Sequence, residues 1–236
     1  FTFHSTGFLA YFGLFFLYVM VPILEYIFPP NTYNFENVEK DLANNDFLYD
    51  LVLYLSVPLH LYVVFDFLQT VSQNSMVLSD LIASIFMMGT ILGVNGINIG
   101  HELGHKTKHK TKTFFAHIML LTAIQNHFIP YHNGGHHRDV ATPDDLSSAK
   151  EGDIFYFFAL RSQIGGYFKA WKLEFQRLKA SGKNVLLNPM ILYAILTLIL
   201  FLLIFNVYGI KVTFIYFLTA VYGISVLEAQ NYFSHY

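Results

Sequence analysis

Apolar residues run along this chain in five long blocks: approximately Gly7 to Phe28, Leu48 to Leu68, Met76 to Gly100, Pro189 to Phe205 and Val212 to Phe233. Each is close to the length of about 20 helical residues that crosses a hydrocarbon core of roughly 30 Å. Backbone out of reach of water must satisfy its own hydrogen bonds, so each block predicts a transmembrane helix despite its β-branched and aromatic residues. A further run, Thr113 to Pro130, would be about 27 Å long as a helix and contains His117, Gln125, Asn126 and His127. The pattern predicts an all-α, multi-pass membrane protein with a single domain over residues 1–236.

Composition agrees with this, at 54% hydrophobic and 13% charged residues. The abundant Phe and Tyr suit lipid contact and interfacial anchoring. With no cysteine, disulfides and thiolate metal sites are excluded, so any metal must rest on histidine, carboxylate or water. The first block lacks a basic leader and a cleavage site, so it does not read as a signal peptide. The chain starts at Phe1 rather than Met, so its beginning is read as incomplete. All Lys and Arg except Lys40 and Lys211 lie between His101 and Pro189. By the positive-inside rule that region faces the cytoplasm. The net charge of −2 adds nothing about partners, and the sequence carries no repeat and no nucleic-acid motif.

Chemistry concentrates in histidines. His101-Glu102-Leu103-Gly104-His105 closes the third block, and on a helix its i, i+4 imidazoles share one face. Asn98 lies on the same face and is placed to orient one of them. Alone this is also the HExxH pattern of zinc proteases, with Glu102 as base. His132-Asn133-Gly134-Gly135-His136-His137 adds three imidazoles, too many for one tetrahedral zinc, and implies two metals. His136 and His137 point about 100° apart on an α-helix. The topology brings a sixth candidate, His235, to the same face. One site requires Thr113 to Pro130 to return to the side it left, so it is read as a re-entrant or interfacial helix. Donor type alone leaves Fe, Cu, Zn and Ni open.

The segments HELGHK (His101 to Lys106), HNGGHHRDVATPDD (His132 to Asp145) and NYFSHY (Asn231 to Tyr236) resemble two histidine boxes and the final-span motif of the alkane 1-monooxygenases. WKLEFQR from Trp171, VPLH from Val57 and VPIL from Val21 are similar as well. The resemblance implies a six-helix bundle with two non-haem iron ions at the cytoplasmic helix ends of a bacterial inner-membrane protein. It implies terminal hydroxylation of n-alkanes, with O2 as co-substrate and electrons from a rubredoxin-type donor. The ligands it implies are His101, His105, His132, His136, His137 and His235. Where the family has Glu before two of these histidines, this chain has Tyr131 and Ser234, so two orienting carboxylates are expected to be lost. The family's first helix and third histidine box are expected to lie outside this sequence, truncated at both ends.

Glu228, Asn231 and His235 fall on one helical stripe, so Glu228 is a candidate replacement carboxylate. Glu102 and Asp139 are further candidates for orienting ligands, and Asp144 and Asp145 are read either so or as helix caps. His60, His117 and His127 read as interior residues, and His4 and His109 as solvated. Lys106, Lys108, Lys110 and Lys112 offer a patch for an acidic electron donor. Leu17 is a candidate wall of a substrate channel entered from the bilayer. Three alternatives share these motifs: a fatty-acyl desaturase, an alkyl-aromatic hydroxylase and an intramembrane zinc protease.

Overall fold

The computed structural model describes residues 1–28, 47–73, 76–105 and 109–234. The described residues are helical, with no strand among them. Contacts divide the chain into two compact units, Phe1–Met88 and Gly89–Tyr236. Four helices are long and apolar enough to cross a membrane: α1 (Gly7–Ile27), α2 (Phe47–Ser72), α3 (Leu78–His105) and a last one, Pro189–Ser234. The chain is a membrane protein.

In the first unit, α1 is almost wholly exposed, as a lipid-facing helix must be, and carries a π-helical turn at Phe16–Met20. Leu17 sits on that turn and is 37% exposed. The N-terminus is tied down by His4, whose Nε2 lies 2.9 Å from both carboxylate oxygens of Asp66. His4 is nonetheless exposed, as expected of a solvated residue. Pro58 lies inside α2, and His60, two residues later, is buried as expected of an interior residue.

In the second unit α3 passes through a π-helical turn, Ile91–Ile97, and ends at His105, five residues beyond the expected Gly100. The first box is therefore part of the spanning helix itself. Next comes α4 (Lys110–Thr122), 13 residues or about 20 Å, too short to cross. It folds back on α3: a Cβ on Gly100 would lie 2.8 Å from the Leu120 side chain, and one on Gly104 2.9 Å from Ile129. These two glycines sit one position before the two histidines, so α3 offers backbone to the returning segment and imidazoles to the site. Ile124, at φ 59°, closes the turn, and Tyr216 Oη donates to Thr122 O at 2.6 Å. The short α5 (Phe128–Tyr131) then leads to His132. The segment begins and ends at the first box, as the re-entrant reading requires.

Helix α6 (Phe155–Ala180) buries Phe158, Ser162, Gly166, Ala170, Glu174 and Leu178 along one stripe. Its small members admit the Tyr131 ring, 3.2 Å from where a Gly166 Cβ would stand. The last helix, α7 (Pro189–Ser234), would be about 69 Å if straight, and its backbone breaks at Gly209 (φ 80°, ψ 174°). It is thus two helices, residues 189–208 and 210–234, which matches the two blocks expected from the sequence. Gly89 and Gly93 of α3, spaced as GxxxG, meet the second of them backbone to backbone. A Cβ on Gly93 would lie 2.7 Å from Gly223 O, and one on Gly223 2.7 Å from Gly89 O.

Gly93→Leu has no space to enter, and is expected to lower the thermal unfolding midpoint of the purified protein by the equivalent of about 1–3 kcal/mol or more. Gly134→Ala, whose Cβ would meet Leu173 at an ordinary 3.6 Å, is expected to change it little. Equal midpoints for the two variants would mean that the glycine contact does not hold the helices together.

Candidate metal centre

The second box is not α-helical. His132–His136 forms a π-helical turn, followed at once by His137. In an α-helix residues five apart point about 140° away from each other, whereas the wider π turn, bonded i to i+5, brings them nearer one face. His132 and His137 accordingly join His101 and His105, and one ligand atom from each of the four lies within 4.8 Å of all the others. The Nε2 atoms of His101 and His105 are 2.5 Å apart. His132 lies with its ring centroid 4.3 Å from that of His101 and 4.3 Å from that of His137.

His132 carries the strongest mark of a ligand. Its Nε2 is buried and has no hydrogen-bond partner. Burial, then the neighbouring His101 and His137 imidazoles, depress its pKa to about 2. His137 is shifted the same way, by burial first and then by His105 and His136. Both are neutral at working pH, the form that donates a lone pair. Phe128 stacks on His132 at 4.7 Å and 15°, covering one ring face. Four convergent imidazoles, one with an orphaned buried nitrogen and no thiolate among them, fit a metal ion.

His136 is not one of the four. Its Nδ1 lies 2.9 Å from Asp145 Oδ2, which also accepts from Ser148 Oγ at 2.6 Å. Asp145 Oδ1 accepts from Ser147 N and from Tyr131 Oη, both at 3.2 Å. Tyr131 Oη and Ser162 Oγ each lie 3.0 Å from Ser147 Oγ. Burial opposes ionisation of Asp145, yet the hydrogen bonds from His136, Ser148 and Ser147 hold its pKa at about 2. Burial pushes the Tyr131 phenol up, so it stays a donor. Tyr131, expected to mark a lost carboxylate, instead holds one.

A cavity of about 180 Å³ opens beside the cluster, lined by Asn98, His101, His132, His136, Glu228 and Asn231, among others. Glu228, 1% exposed, accepts from Gln163 Nε2, and Gln163 Oε1 accepts from Gln125 Nε2 at 2.9 Å. Asn231 Nδ2 reaches Glu228 Oε2 at 3.5 Å. Asp139 engages Arg138 and Lys169, at 2.7 and 2.8 Å, rather than a histidine. Glu102 is exposed and outside the four-residue group. His117 meets Tyr193 Oη at 3.2 Å, as an interior histidine does. His235 lies outside the described residues. Sequence reasoning did not single out Gln163, and left Asp145 undivided from its acidic neighbours; the only local signal for either was a polar residue inside an otherwise packed segment.

A family model described as fatty acid desaturase matches residues 75–236. Over nearly its whole length the chain is similar to an alkane 1-monooxygenase from Pseudomonas putida, 31% identical over 99% of this chain and 58% of the relative. Alkane 1-monooxygenase 1 from Alcanivorax borkumensis is 32% identical over 98% of this chain and 58% of its own. A shorter match, 36% identical over 64% of this chain and 41% of the relative, is to alkane 1-monooxygenase 2 from Pseudomonas aeruginosa. The chain thus spans somewhat over half the length of the first two relatives and less of the third.

Asp145→Asn keeps the volume of the side chain but removes the charge that fixes His136. Metal affinity, read by competition with a chromogenic chelator, is expected to fall about 10–100-fold, as for other partners of metal-bound histidine. Tyr131→Phe, which deletes one of several donors to Asp145, is expected to cost less. Unchanged affinity in Asp145→Asn would mean that His136 takes no part in holding metal.

Proposed function

This chain belongs to the fatty acid desaturase family, and on that premise we propose that it hydroxylates the terminal carbon of n-alkanes to give 1-alkanols. The observation that carries the proposal is the group of four converging imidazoles with the orphaned His132 nitrogen, beside a cavity at the end of apolar spans. The substrate class is supported by the relatives, which are named alkane 1-monooxygenases and align with nearly all of this sequence. Two iron ions are proposed, with His101, His105, His132 and His137 as ligands and His136 and His235 completing the set. The proposal includes O2 as co-substrate, a rubredoxin-type donor, and a site on the cytoplasmic side of a bacterial inner membrane. Lys110 is exposed and suits an acidic donor, whereas Lys112 is buried and is withdrawn from the expected patch. Lys106 and Lys108 lie outside the described residues.

The reaction takes R–CH3, O2, two electrons and two protons to R–CH2OH and water. Bound iron supplies the oxygen chemistry that an unactivated C–H bond demands. The remaining tasks fall to the chain. Asp145 holds the proton of His136 on Nδ1, the tautomer in which Nε2 carries the lone pair that would bind metal. Phe128 and Leu227 exclude water from the cavity wall. An alkane hydrogen-bonds to nothing, so the chain from Gln125 through Gln163 to Glu228 is not needed to bind it. Glu228, a buried carboxyl lining the metal cavity, is instead suited to the protons that the reaction consumes.

The description of the matching family favours a second reading, removal of two hydrogens from a fatty acyl chain by the same site. Purified protein given iron, rubredoxin, an NADH-dependent reductase and alkanes from octane to hexadecane is expected to form 1-alkanols. His132→Ala is expected to lose iron and about 100-fold or more of the activity. Active protein with zinc and no iron would overturn the metal assignment. Alkenes from acyl substrates, without alkanol from alkanes, would favour the desaturase.

A further inference from the structure

A second cavity, of about 440 Å³, shares the side chain of His127 with the metal cavity. Asn126 lines it from the re-entrant turn, Tyr167 from α6, and Tyr193, Thr197 and Phe201 from the first half of α7. Leu198 and Ala194 stand at its edge on the exposed surface of that span, so the groove opens toward lipid. Its walls are mostly apolar, and no lysine or arginine is among the residues lining it.

One feature of this apolar groove is out of keeping with it. Asn126 is 2% exposed, and neither Oδ1 nor Nδ2 makes a well-formed hydrogen bond. Its amide interacts with His117, whose Nε2 holds the Tyr193 hydroxyl. With one Asn126 atom turned to His117, the other is still open. A buried amide with an open polar atom is a standing cost to the fold, and an apolar side chain of similar size would avoid it. The ligand that would relieve it must offer one hydrogen-bonding group and be apolar elsewhere. A primary alcohol does so with its single hydroxyl, which can donate or accept. An alkane offers none, and a carboxylate would bring a charge with no cation to meet it.

We propose that this groove is the exit site for the 1-alkanol, which passes His127 from the metal cavity and is held by its hydroxyl on Asn126 before entering the bilayer. The proposal rests on the hydroxylase reading above, since that reaction is what supplies an alcohol on the far side of His127. The groove then distinguishes product from substrate by the one group in which they differ. Alkanol leaves the metal cavity for a site that alkane has no reason to occupy.

Trp171, the single tryptophan of the chain, packs edge to face on Tyr167 with centroids 6.4 Å apart and so reports on the groove. Iron-loaded protein without reductant, in nanodiscs of saturated phosphatidylcholine, would be titrated with 11-bromoundecan-1-ol and with 1-bromoundecane, whose bromine quenches tryptophan at near contact. Saturable quenching is expected with the alcohol at a concentration at least about tenfold lower than with the bromoalkane, the worth of one good buried hydrogen bond. Asn126→Leu is expected to bind both chains alike while keeping or raising the thermal midpoint, so that lost discrimination is not unfolding. Ala194→Phe, at an exposed position, is expected to fill the groove and abolish saturable quenching by either. Equal quenching by the two chains in the parent protein would overturn the proposal. So would discrimination that survives Asn126→Leu, the result expected if only an ordered water serves that amide. Titration needs no turnover: binding without hydroxylation in the separate assay would overturn the enzyme reading, and hydroxylation without discrimination would overturn the exit site.

Discussion

Four imidazole nitrogens within 4.8 Å of one another, one of them buried without a partner, are the constraint on which the second unit is built. Protonated, such a group would repel itself strongly, and burial together with the neighbouring imidazoles holds the His132 pKa down, to about 2. Neutral, the group is a set of lone pairs directed at one point. A cation resolves both the crowding and the orphaned nitrogen. That is why the cluster fits a metal centre better than a polar interior held together by hydrogen bonds.

Glycine is what lets the helices bring those rings together. Gly89 and Gly93 let α3 meet Gly223 on the last span, backbone against backbone. The two helices run toward the site side by side, so Glu228 and Asn231 arrive at the cavity that Asn98 and His101 line. Gly100 and Gly104 do the same for the re-entrant segment, which delivers His132. In a bilayer, where lipid is as apolar as leucine, such close approach supplies the attraction that hydrophobic burial provides in water. The π turn through the second box makes the last adjustment, turning His137 into the cluster and His136 onto Asp145.

Much of this was legible in the sequence. The five apolar blocks, the break near Gly209 and the return of residues 113–130 follow from length, from backbone hydrogen bonding and from the need for two boxes to meet. The histidine spacing was legible too, down to four of the residues that converge. Less could be seen of what orients them. Periodicity assumes 3.6 residues per turn, so it could not place His136 and His137, which a π turn separates. Nor does a run of acids at Asp139, Asp144 and Asp145 say which carboxylate turns inward. Tertiary packing decides that: Lys169 on α6 takes Asp139, while Ser147, Ser148 and Tyr131 close around Asp145.

The Tyr131 position shows how far a local substitution can be judged from its own chemistry. Seen only as the residue before His132, a tyrosine in place of a carboxylate subtracts a negative charge from the ligand set. In the fold its ring packs against Gly166 and Ala170 of α6, and its hydroxyl reaches a carboxylate 14 positions further along the chain. The charge beside the histidines is kept, but it is supplied by a different residue and through a loop whose placement depends on α6. Orientation of the clustered histidines is thereby coupled to the packing of a helix that contributes none of them. Small residues at Ser162, Gly166 and Ala170 are the condition for it, because a larger side chain on that stripe would push Tyr131 away from Asp145 and release His136 from the direction in which it is held.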